Sequence, residues 1–140
     1  MDYIRETEKW LYNYKTIKAS IENLQRLYAE KEKEVKEGRP IRYDKDKLSP
    51  TYAFNSEAEN IAIDLATIKS RIERMKAKVE IIETAIEGLN EIEKKIILMK
   101  YIEGHHWWRI AYEVRYNERW CRQLKNIALK KLSVAIFGEE

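Results

Sequence analysis

The chain has 140 residues, enough for one domain or for a small domain with an extended element, and 36% of them are charged. With two prolines and four glycines, the composition favours long helices over a sheet. No apolar run reaches the roughly 18 residues of a membrane span, and the opening MDYIRETEKW lacks the apolar core of a signal peptide, so no membrane partner and a cytoplasmic residence are expected.

The net charge of +3 is small, but it is concentrated. Residues 1–88 hold 17 basic and 17 acidic residues, so the whole excess lies after Gly88. Between Gly104 and Leu132 there are seven basic residues and two acidic ones. Such a patch points to a polyanionic partner.

From about Tyr3 to Val35 helix formers dominate. Trp10, Tyr14, Ile17, Ile21, Leu24, Tyr28 and Val35 fall on a 4-3 heptad grid whose only polar exception is Lys31. The spacing predicts one long amphipathic helix, its charged run Glu30–Glu37 being a solvated end. Gly38, Arg39 and Pro40 stop it. Residues 38–55 read as a loop, in which Tyr43, Tyr52 and Phe54 either pin the segment to a helix or stack on a partner.

Ser56 and Glu59 form a candidate capping box that opens a second long helix. Ile61, Leu65, Ile68, Ile72, Met75, Val79, Ile82 and Ile86 keep a 4-3 alternation for more than three heptads, a coiled-coil seam. Its partner is the first helix, a second copy of the chain, or both.

Gly88, Leu89 and Asn90 punctuate the chain again, with Asn90 as an N-cap and Glu91 and Glu93 in the first turn. The helix that follows offers Ile92, Ile96, Met99, and also Tyr101 and Ile102, to the last segment. Residues 1–88 are thus expected to form a long-helix hairpin and residues 89–140 a small module.

Within that module, Trp107, Ile110, Ala111 and Val114 share one face of a short helix. Arg115, Tyr116 and Asn117 make a joint. In a second helix Cys121, Leu124, Ala128 and Leu132 line the inner side, while Arg119, Arg122, Gln123, Asn126 and Lys130 line the outer one. This is the layout of a helix-turn-helix, whose second helix fits the DNA major groove. Arg119, Arg122, Gln123 and Asn126 are the candidate base readers, because Arg pairs with guanine, and Gln or Asn with adenine, through two hydrogen bonds. Arg109, Arg115, Lys125, Lys130 and Lys131 are candidate phosphate contacts. The rival reading of the outer stripe is an ordinary solvated face. Trp108 and Trp120 sit at helix edges, where they would pack on the long helices or touch the sugar-phosphate backbone. The tail after Val134 would fold back on the helices.

Other chemistry finds no support in the sequence. Cys121 is alone, so it makes no internal disulfide, and its inward position makes it a small apolar filler. His105 and His106 are adjacent, which aims them in different directions, and no ligand spacing completes a metal site. There is no phosphate-binding glycine loop and no nucleophile motif. Neither an enzyme nor a cofactor is expected.

The run LNEIEKKIILMKYIEGHHWWRIAYEVRYNERWCRQLKNIALKKL, about 44 residues, resembles region 4 of bacterial sigma factors and, most closely, phage transcriptional regulators of the RinA and ArpU type. The features that carry the likeness are Lys100-Tyr101 ahead of Gly104, then Trp107, Ile110 and Ala111, then Ala128, Leu129, Lys131 and Leu132. SPTYAFNSEAEN ahead of the second helix is similar to that phage family as well. Two positions depart: His106 where such modules often carry Ser or Thr, and Arg115 where Gly often opens the turn. The resemblance implies an all-α regulator of late phage or prophage genes. It would bind double-stranded DNA, while the coiled-coil half is expected either to make a homo-oligomer, with a dimer favoured, or to engage host RNA polymerase. The alternatives are a small terminase-like packaging subunit and a protein-interaction adaptor that never touches DNA.

Overall fold

The computed structural model describes residues 1–36 and 50–140, without the side chains of 50–57. Within those limits the chain is all-α: a long helix pair followed by a small helical module. The helices are α1 (Tyr3–Tyr12), α2 (Tyr14–Lys36), α3 (Pro50–Glu87), α4 (Glu91–Ile97), α5 (Trp107–Val114) and α6 (Glu118–Phe137), with a π-helical turn at Leu98–Ile102.

The expected first helix divides at Asn13, a weak helix former, although the backbone ladder runs through it. The Asn13 N–H donates to the Lys9 carbonyl at 3.0 Å, and the Ile17 N–H donates to the Asn13 carbonyl at 2.9 Å. The second long helix begins at Pro50, six residues before the expected start at Ser56. Proline at the first helical position has its φ preset and lacks a donor that would be unpaired there anyway. The chain is therefore already helical through residues 50–55, and Ser56 lies inside α3. The expected stop at Gly38, Arg39 and Pro40 lies outside the described residues, as does Tyr43, and so do the side chains of Tyr52, Phe54 and Ser56.

Two compact units emerge: residues 19–76, and residues 1–18 with 77–140. They do not follow a cut at residue 88. In the first unit α2 and α3 pair within one chain. Ile21, Leu24, Tyr28 and Lys31 are the half-buried stripe of α2, and on α3 Ile68 and Ile72 are buried, with Ile61, Leu65 and Met75 half-buried. The Lys31 ammonium meets Asp64 at 3.3 Å, so the one polar residue of the first heptad grid is an ion-pair position. Val35, the last grid position, is exposed.

In the other unit one core gathers Leu11, Ile82, Ile86, Leu89, Ile97, Tyr101, Leu129 and Leu132, with Trp10 and Tyr14 against it. Ile82 and Ile86, at the end of the α3 seam, thus face α1 and α6 rather than continuing a two-helix seam. Leu11, Ile82 and Leu132 are fully buried, and truncating one to Ala costs about 2–5 kcal/mol. The expected tail is instead the last turns of α6. Phe137 packs on Tyr3 and Trp10, with ring centroids 5.5 and 5.3 Å apart, before Gly138 caps the helix at φ 78°.

The expected N-cap at Asn90 is present and proves to be a full capping box: its side chain accepts from the Glu93 N–H at 2.8 Å, and Glu93 accepts from the Asn90 N–H at 3.2 Å. After α4 the π-helical turn inserts one residue into the ladder, closed by the Glu103 N–H donating to the Leu98 carbonyl. Tyr101 therefore faces α1, donating to Glu8 at 2.8 Å, rather than the helix-turn-helix. Ile92, also expected inside, is exposed, because it precedes the inward-facing Ile96 and Ile97 on the solvent side of α4. Ile102 is half-buried.

Candidate nucleic-acid interface

A second, smaller core builds the helix-turn-helix. Ile96, Met99, Ile110 and Cys121 are buried together, with Trp107, Ala111, Val114 and Leu124 packed around them. These are the inward faces expected for the two helices. α6 carries both cores at once, Cys121 and Leu124 toward α5, then Leu129 and Leu132 toward α1 and α3. Its outer face is thereby fixed in orientation.

The joint has the geometry its length requires. Arg115 adopts φ 61° and ψ 37°, the left-handed conformation usually left to glycine, and it is the only non-glycine residue with positive φ among those described. Its N–H donates to the Ala111 carbonyl at 2.8 Å, which ends α5. Asn117 then caps α6, its side chain accepting from the Trp120 N–H at 2.7 Å. His106, at the start of α5, makes no side-chain cap hydrogen bond, as expected for a residue without a short oxygen acceptor.

Arg119, Arg122, Gln123 and Asn126 are all exposed and recur at three- and four-residue spacing along α6. Arg122 differs from the others, because its guanidinium carbon lies 5.6 Å from the centre of the Trp107 ring. Arg109, Arg115 and Lys130 are exposed, and Lys125 is half-buried. Lys131 is not a free cation. Its ammonium contacts both carboxylate oxygens of Glu93 at 2.9 Å, and Glu93 is only 1% exposed. That lysine serves the packing of α6 on α4, which its place in an outer basic run concealed.

A family model described as "Protein of unknown function (DUF722)" matches residues 4–133. The chain belongs to this family. The description carries no activity, and no curated protein and no solved structure matches the chain.

Three aromatic residues on α5 and α6 of this DUF722 chain are exposed. Trp108 is 63% exposed and Trp120 41%. Tyr112, one turn after Trp108, is 79% exposed. Trp107 is only half-buried. Besides Arg122, the Lys100 ammonium stands 5.1 Å and the Lys125 ammonium 6.0 Å from its ring centre. The place of Lys100 beside Trp107 is not legible in the sequence, because a lysine in the middle of a helical run reads as solvated surface.

Cys121 is fully buried, and burial, with Glu118 nearby, pushes its thiol pKa up, which leaves it a poor nucleophile. His105 faces Glu103 at 3.0 Å. Among the described residues no three His, Cys, Asp or Glu side chains are grouped to hold a metal ion, and no helix is long and apolar enough to cross a membrane.

Proposed function

We propose that this chain is a sequence-specific DNA-binding transcription regulator of phage or prophage type, built around a sigma-region-4-like helix-turn-helix. The observation that supports it most is the face of α6: Arg119, Gln123 and Asn126 stand exposed on one side, while the other side is locked into two cores. A helix held this way presents long hydrogen-bonding side chains to the major groove without having to order itself first. The left-handed Arg115 and the Asn117 cap set the angle at which α6 leaves α5.

In this mechanism Arg119, Gln123 and Asn126 read base edges, while Arg109, Arg115 and Lys130 meet phosphates. The long helix pair spaces or dimerises the readers, or engages RNA polymerase, and late phage genes are the regulated class. Two copies on paired half-sites would be spaced by about one turn of DNA, roughly 34 Å.

The exposed pair Trp108 and Tyr112 favours a second reading, in which the module docks on a protein and does not bind DNA. Selection of bound duplexes from a random pool separates the two. Recovery of a shared motif, with preference at one or two positions lost in Gln123→Ala or Asn126→Ala, supports the regulator. An unenriched pool, with the protein folded, refutes sequence reading.

A further inference from the structure

We infer that Lys100, Arg122 and Lys125, arrayed around Trp107, form a phosphate seat, and that Arg122 holds a backbone phosphate rather than a base. That the phosphate belongs to duplex DNA rests on the function proposed above; the seat itself rests on geometry.

Three cations from two elements approach a single half-buried indole, at 5.1, 5.6 and 6.0 Å from its centre. Lys100 comes from the π-helical turn, and Arg122 and Lys125 come from one face of α6. All three lie within 6.0 Å of one point, so no two are farther apart than twice that distance. Their mutual repulsion is a cost that the ring quadrupole offsets only in part. A shared oxyanion would reverse the sign of that term.

The surroundings leave the cluster open to such a ligand. Lys9, Lys31, Lys36, Lys94 and Lys131 each have a carboxylate within 4 Å, whereas among the described residues Lys100, Arg122 and Lys125 have none. Glu103, the acid nearest in sequence to Lys100, is engaged by His105 at 3.0 Å.

The π-helical turn gives the arrangement its cause. The inserted residue lets Met99 enter the helix-turn-helix core and Tyr101 reach Glu8 while Lys100, between them, stands by Trp107. Such turns recur at functional sites because they re-aim one side chain without ending the helix. A phosphate gripped by Lys100 and α6 together would fix the depth and register of α6 on the duplex, which is what backbone contacts supply.

The test follows the Trp107 indole N–H resonance, assigned with Trp107→Phe, during titration with inorganic phosphate and, separately, with a random-sequence duplex. Sodium chloride at matched ionic strength is the control. A saturable movement with phosphate and with duplex is expected, and it should vanish in Lys100→Gln/Lys125→Gln while the other indole resonances stay in place. On DNA, Lys100→Gln and Arg122→Gln should each lower the slope of log K against log salt by about one, weakening all sequences alike. Wild-type binding to duplex with an unmoved Trp107 and an unaltered slope overturns the seat. A change of sequence preference in Arg122→Gln overturns its assignment to phosphate. Movement with inorganic phosphate but no duplex binding upholds the seat and refutes DNA as the source of its ligand.

Discussion

The carboxylate of Glu93 receives the Lys131 ammonium on both its oxygens, each at 2.9 Å, while one of those oxygens also accepts the Asn90 N–H that opens α4. Glu93 is fully enclosed, and Lys131 reaches it from α6 with half of its own side chain in water. One acid therefore caps one helix and fastens another, and a charge buried this way depends on its partner.

Removing that partner should destabilise the fold. Lys131→Ala should cost about 1–3 kcal/mol, because a buried acceptor loses a charged donor. Lys130→Ala, one residue away and exposed, should stay within about 0.5 kcal/mol. Urea unfolding at constant m-value checks both. Equal midpoints for the two variants would make Lys131 a surface cation after all. Loss of DNA binding in Lys131→Ala is informative only beside this measurement.

Arg115 should be replaceable by glycine with a gain in stability. A left-handed conformation costs a non-glycine residue about 1–2 kcal/mol, and the extra freedom of glycine in the unfolded chain returns part of that, so Arg115→Gly should gain about 1 kcal/mol or less. Thermal unfolding tests this, and a lower midpoint would mean that the Arg115 side chain holds the joint by contacts. If Arg115 also meets a phosphate, the same variant binds DNA more weakly while being more stable.

The helix-turn-helix and the α3 seam were legible because each is written as a period. Ile61 to Ile86 alternates by four and three, and Ile110, Val114, Cys121 and Leu124 recur on the two inner faces. The π-helical turn was not legible, since one inserted residue leaves no compositional trace and is stabilised by distant partners such as Glu8. Pro50 misled because proline both breaks a helix and opens one. For Trp108 and Trp120 a place at a helix edge left both packing and solvent exposure open in the sequence, because the neighbours that decide exposure are distant in the chain; Trp108 is 63% exposed and Trp120 41%.

Alkaline pH should loosen the packing of α1 and of the start of α2. Burial, then the hydrogen bond to Glu83, pushes the Tyr14 pKa up from 10 to about 12. Burial and Glu8 raise Tyr101 as well. A raised folded-state pKa means that the unfolded chain loses these protons first. The stabilisation is complete below about pH 10 and falls as pH rises through 10 toward 12. Unfolding curves across that window should shift steadily in the wild type and less in Tyr14→Phe and Tyr101→Phe. Equal shifts in all three would contradict the assignment.

The Cys121 thiol should be inert until the chain unfolds. With no exposed surface and a raised pKa, it should react with a disulfide reagent at pH 8 far more slowly than in denaturant, at the rate of opening. Fast reaction in the folded protein would place the α5–α6 contact in exchange with an open form.

The most direct test of the central claim, that the outer side of α6 faces duplex DNA, is fluorescence anisotropy of a labelled random duplex with the wild-type chain across a salt series. The account predicts binding at low salt that weakens steeply and linearly in log K against log salt, with a shallower slope in Arg119→Ala/Arg122→Ala. No binding by the folded protein at 50 mM salt, or binding whose slope the double variant leaves unchanged, would contradict it and turn the same face toward a protein partner.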